Sequence, residues 1–122
     1  MEDISDEEMR ETLLLARGYC AVLLKAGPAY QGPEAKSLIY AHGKRNMSLR
    51  KAGILPIVCP CTEPGELRGI GIFNLSPEET KKTMDEDPGV RAGVFTYEIF
   101  PVCGFPGSSL PDASAPSSTQ PR

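Results

Sequence analysis

The run Tyr19-Cys20-Ala21-Val22-Leu23-Leu24-Lys25-Ala26 constrains the fold most. It is almost continuously apolar, so as a strand it needs cover on both faces and a place in the interior of a sheet. Gly27-Pro28 ends it, and turn-forming residues fill the loop to Pro33. Every later segment must be arranged around this strand.

The segment from about 34 to 52 reads as a long helix. Leu38, His42, Arg45 and Leu49 fall at i, i+4, i+7 and i+11, which is one stripe. Gly53 closes it as a C-terminal cap. Ile54-Leu55-Pro56-Ile57-Val58-Cys59 is strand-like, but Pro56 cannot donate to a ladder and places this strand at a sheet edge. Pro60 to Glu66 is a turn region, and Leu67 to Asn74 is a further strand. Ser76-Pro77-Glu78-Glu79 starts a helix that runs to about Asp85, with Ser as cap, Pro first and Glu third. Asp87-Pro88-Gly89 is a turn. Ala92 to Phe100 is the last strand, with Phe95, Tyr97 and Ile99 on one face.

Before the central strand, Ser5-Asp6-Glu7-Glu8 has the pattern of a capping box and predicts a short helix from about 5 to 17, stopped at Gly18. From Phe105 on, Pro, Ser, Gly and Ala dominate, and 107–122 reads as a disordered tail. The expected organisation is therefore an N-terminal helix over 1–17, one domain over 18–106 and the tail. Within the domain the order is β-α-β-β-α-β. That is the α+β, ferredoxin-like arrangement of one antiparallel sheet with two helices on one face. Several strands are apolar on both faces, and the helices cover only one. The other is expected to meet a second copy's sheet, giving a homodimer built as an α+β barrel.

Charge and length exclude several classes of function. The net charge is −3 and there is no basic cluster, which argues against nucleic acid and anionic membrane as partners. No apolar run approaches the roughly 20 residues of a membrane span. The acidic start Met1-Glu2-Asp3 is unlike a secretory or transit peptide. With it, four cysteines read as reduced thiols of a cytoplasmic protein.

The chain has a single histidine, His42, the one side chain that titrates near neutral pH without perturbation. It shares a helix face with two leucines and leans toward the core, so any proton transfer in this protein falls to it first. The alternative is a packed or surface histidine with no chemical role.

In this ordered set the sequence resembles the YCII-related family, a branch of the dimeric ferredoxin-like α/β-barrel proteins. The matching features are a strand ending Leu24-Lys25-Ala26-Gly27-Pro28, a helix carrying Ala41-His42, and Gly53 at the family's spacing. They continue with a strand ending Cys59-Pro60, a helix closing in Asp85-Glu86-Asp87-Pro88, then Ala92-Gly93-Val94 and a strand with Tyr97-Glu98. The match covers about 18 to 106. It departs from the family at Ile39, where many members carry arginine, and at Cys59, where glycine is usual. The resemblance implies a cleft centred on a histidine and an aspartate, which here are His42 and Asp87, with a proposed enzymatic role.

The topology allows that pair to meet. In a split βαβ sheet, the start of the first helix and the end of the second share an edge, and the loops 27–33 and 60–66 close over it. An aspartate accepting from one ring nitrogen fixes the tautomer and leaves the other nitrogen for substrate, the logic of a general acid/base without a nucleophile. Arg45 and Asn46, one turn below His42, are candidates to hold an anionic or carbonyl group; a solvated helix face is their other reading. The expected ligand is a small metabolite undergoing elimination, isomerisation or hydrolysis. A non-catalytic ligand-binding or accessory domain would use the same pocket.

No cofactor and no metal are called for. Cys59-Pro60-Cys61 suggests a metal site with Cys20 and Cys103, but these pairs lie at opposite ends of strands roughly 20 Å long, against zinc–sulfur distances of about 2.3 Å. A nucleophilic Cys59 beside His42 is a lesser alternative. Gly69 and Gly71 suit close packing of a helix or partner sheet better than a dinucleotide loop, since Asn74 breaks that pattern. Glu98 is expected away from the His42 edge, without an assigned role.

Overall fold

The computed structural model describes residues 1–112. Eight elements follow in order: α1 (Asp6–Leu13), β1 (Arg17–Ala26), α2 (Ala35–Lys51), β2 (Ile57–Pro60), β3 (Leu67–Phe73), α3 (Pro77–Asp85), α4 (Pro88–Arg91) and β4 (Phe95–Gly104). The fold is α+β, with one four-stranded sheet in the order β2-β3-β1-β4. Every pairing is antiparallel. This arrangement is compatible with a ferredoxin-like fold.

The apolar run lies inside the sheet, covered on one of its two faces. β1 sits inside the sheet, between β3 and β4, and Cys20, Val22 and Leu24 are buried. Register carries this face across the sheet: Cys20 lies opposite Phe73 and Val22 opposite Gly71. On the other side, Val22 lies opposite Ile99 and Leu24 opposite Tyr97. Ala35, Leu55, Met84, Val94 and Phe95 complete the core, with Leu38 and Leu49 of α2 packed against it. At about 25 cal/mol per Å2 of apolar surface, this layer between helices and sheet is the main stabilising contribution.

The opposite face of the sheet is open. There Ala21 lies between Ile72 and Phe100, and Leu23 between Ile70 and Glu98. Ile70, Phe100 and Val102 are 41%, 43% and 38% exposed. Glu98 forms an ion pair with Lys25 of β1. No described helix is long and apolar enough to cross a membrane.

Several boundaries differ from the sequence reading, each for a local reason. The first helix ends at Leu13 rather than near 17, and none of its residues is buried. The β1–β4 ladder already begins at Arg17–Gly104, so Gly18 is a strand residue opposite Cys103 and not a helix stop. β2 starts at Ile57, because Ile54 and Leu55 still belong to the turn that closes α2. That turn is a Schellman motif: Gly53 has φ +75°, its N–H donates to Arg50, and Ile54 N–H donates to Leu49. β2 is an edge strand, as expected, although Pro56 lies before it and the proline inside it is Pro60. At Ser76 the capping box is complete, with Ser76 Oγ accepting from Glu79 N and Glu79 Oε1 accepting from Ser76 N.

Asp87-Pro88-Gly89 is not an isolated turn but the start of α4, and Ala92–Val94 close that helix instead of opening the last strand. Gly93, at φ +78°, makes the bend. β4 then runs on to Gly104, and as an edge strand it tolerates Pro101. Tyr97 fastens α3 to β4. Its hydroxyl donates to the Asp85 carboxylate, and burial together with that carboxylate pushes the phenol up to about 12. Residues 105–112 form no helix or strand and are exposed. The remainder of the expected tail, 113–122, lies outside the described residues.

Candidate functional site

The site forms where α2 passes α4. His42 lies on the inward stripe of α2 and is 8% exposed, while Asp87 at the start of α4 is 1% exposed. Proline at the first position of α4 has no N–H, so the free amides of the first turn are those of Gly89 and Val90. Both donate to Asp87 Oδ2, at 2.9 and 3.1 Å. His42 Nδ1 reaches the same oxygen at 2.9 Å.

This arrangement fixes a proton. Oδ2 already accepts from two backbone amides, so it serves as a carboxylate acceptor, and the hydrogen between it and the ring is on Nδ1. Burial pushes the Asp87 carboxyl up, but the hydrogen bond from His42, the histidine's charge, the Val90 amide and the Arg45 guanidinium outweigh it. The net result is a carboxyl held below the usual range. The second oxygen, Oδ1, makes no hydrogen bond, and Arg45 Nη1 stands 3.6 Å from it.

The other ring nitrogen, Nε2, has Asn46 Nδ2 at 3.1 Å. With a neutral imidazole the amide donates to the Nε2 lone pair. With an imidazolium the amide must turn so that its oxygen accepts, and Asn46 therefore responds to the histidine's charge. Phe95 packs against the imidazole, with ring centres 4.6 Å apart and planes at 46°. A Cβ on Gly89 would stand 2.8 Å from Phe95 Cδ2 and 3.1 Å from Asp87 Oδ2, so only glycine lets the turn close on both.

His42, Asn46 and Phe95 line a cavity of about 300 Å3 between α2 and the sheet. Gly69 and Gly71 help line it, and at Gly71 a Cβ would stand 3.0 Å from Leu55 Cδ1. The volume is at the lower end of small-molecule pockets. Cys59 and Cys61 also line it as half-buried free thiols, but neither makes a hydrogen bond to His42. Among the described residues no group of three or more His, Cys, Asp or Glu side chains is placed to hold a metal ion.

Of the four residues singled out in the sequence, the structure brings all together, in unequal positions. His42 and Asp87 are in direct contact, and Asn46 caps the histidine. Arg45 points back to Asp87 and Glu86, at 3.6 and 3.9 Å, and is not a cavity-lining residue. It is placed to balance Asp87 rather than to hold a ligand. The sequence reading missed Arg68, Tyr30 and Phe95, all of which line the cavity. A signal existed for Arg68, the only charge in the strand Leu67–Phe73.

No family model matches this chain, and no curated protein matches it in sequence.

Proposed function

We propose that this chain is a small homodimeric protein of the YCII-related type, in which the His42–Asp87 pair acts as a general acid/base on a small metabolite. The reaction class is elimination, isomerisation or hydrolysis. One observation carries the reading: a buried imidazole is held by a carboxylate at Nδ1 while it lines a cavity of ligand size. A proton taken at Nε2 is stabilised by Asp87, which is how a histidine serves as a base without a nucleophile. Four free thiols suit the reducing cytoplasm.

The open apolar face supports the dimer. Ile70, Phe100 and Val102 form an exposed patch on a sheet whose other face packs against the helices, and a second copy of the same sheet would cover it as a barrel. A second reading, a binding module without chemistry, draws support from Asn46, which already occupies Nε2 at 3.1 Å.

Hydrogen–deuterium exchange at carbon separates the two. Wild type and His42→Gln are incubated in D2O with cyclic ketones and lactones, neutral and carboxylate-bearing, and both loss of the acidic C–H signal and opening of the lactone ring are followed by NMR. General-base function predicts faster exchange or ring opening with wild type for at least one compound. Equal rates across the panel favour the binding module.

A further inference from the structure

Arg68 stands out in the cavity wall. Its Nε donates to Leu67 O at 3.0 Å, Nη2 donates to Glu63 O, and Nη1 reaches Tyr30 Oη at 3.4 Å. The guanidinium also sits 5.9 Å from the centre of the Tyr30 ring. These contacts orient the fork but bring no negative charge, and among the described residues no carboxylate forms an ion pair with it. A half-buried cation thus lines a mostly apolar cavity without a counter-ion.

We infer that the cavity selects a compact, monoanionic carboxylate, bound through its carboxylate to Arg68 beside Tyr30, with its apolar body over Gly69 and Gly71 and its reacting end toward His42. This rests on the reading of the cavity as a small-molecule site and adds the ligand's charge and class to it. An arginine fork recognises a planar carboxylate through paired N–H groups, and a neutral ligand leaves its charge uncompensated. A phosphate dianion fits less well. No lysine lines the cavity, and the other ionisable cation there, protonated His42, is already neutralised by Asp87.

The test uses the untagged full chain, 15N-labelled, titrated with benzoate and with benzamide, its neutral isostere. Shifts of the Gly43, Gly69 and Gly71 amides report binding in the cavity. The inference predicts that benzoate binds more tightly than benzamide by about tenfold or more, the worth of a charge-assisted hydrogen bond. Arg68→Gln should remove that preference and Arg68→Lys should keep part of it. Equal binding of the two probes by wild type overturns the inference while leaving the cavity a ligand site, and this arm needs no variant to fold. A preference that survives Arg68→Gln overturns it also. If neither probe shifts the three amides, the small-molecule reading itself fails and the inference with it.

Discussion

Replacing Asp87 by asparagine keeps the shape of the side chain and removes its charge. In the native protein Oδ2 accepts three hydrogen bonds, from His42 Nδ1, Gly89 N and Val90 N. An ionised acceptor makes each of these stronger than a neutral one by about 1 kcal/mol, or about 3 kcal/mol in sum. Against this, a neutral amide is easier to bury than a carboxylate, and burial is the largest single influence on Asp87. The amide also turns an N–H2 toward Arg45, at the position where Oδ1 now stands. The balance is a loss of about 2 kcal/mol for Asp87→Asn near neutral pH. The lowered pKa of Asp87 gives the pH dependence. A depressed carboxyl contributes stability that is present above its unfolded value, near 3.9, and is lost as pH falls through the lower folded value. The gap between wild type and Asp87→Asn should therefore be full at neutral pH and shrink below about pH 4. Urea unfolding followed by circular dichroism, at one protein concentration, measures it. Completing the cycle with His42→Gln and the double variant should give a coupling of about 1 kcal/mol at neutral pH. Equal stability of wild type and Asp87→Asn at neutral pH, a gap that does not shrink below about pH 4, or a coupling within error of zero would refute this reasoning.

Two other predictions test the frame around the site. Gly27→Ala should destabilise by about 3 kcal/mol in urea unfolding, since its Cβ would stand 2.4 Å from Gly93 O, where the backbone of β1 and the α4–β4 turn must meet; a loss under about 0.5 kcal/mol would show that this turn yields freely. Phe100→Asp places a charge in the middle of the open apolar face and should convert a dimer to a monomer in sedimentation at micromolar concentration, whereas a monomeric wild type would remove the dimer from the account.

The order of elements was legible because the breakers lie where the chain turns. Gly27-Pro28, Gly53, Ser76-Pro77 and Pro88 all mark real boundaries. The pairing of His42 with Asp87 came from the family resemblance, and the helical stripe and the shared edge of two helices showed only that the two could meet; in the structure they are 2.9 Å apart. Local contests hid the rest. Ala92-Gly93-Val94 has the composition of a strand start, but Gly93 N–H and Val94 N–H are used to close α4, and Phe95 begins β4. Gly18 looks like a helix stop until its pairing with Cys103 is known. Arg68 could not be assigned because its place depends on Tyr30, 38 residues away, and on a ladder irregularity at Leu24/Lys25, neither of which follows from periodicity. Arg45 shares the stripe with His42 but meets the acidic end of α3 and α4, a tertiary choice that spacing cannot decide.

Asp87 holds the His42 proton on Nδ1, which leaves Nε2 without a hydrogen of its own and paired with Asn46. Long-range 1H–15N correlation of the ring nitrogens tests it directly. With one histidine in the untagged chain, the spectrum needs no assignment. At a pH where the imidazole is neutral, the account predicts a pyrrole-type shift for Nδ1 and a pyridine-type shift for Nε2. A spectrum with the hydrogen on Nε2, or one averaged between the two tautomers, would contradict it.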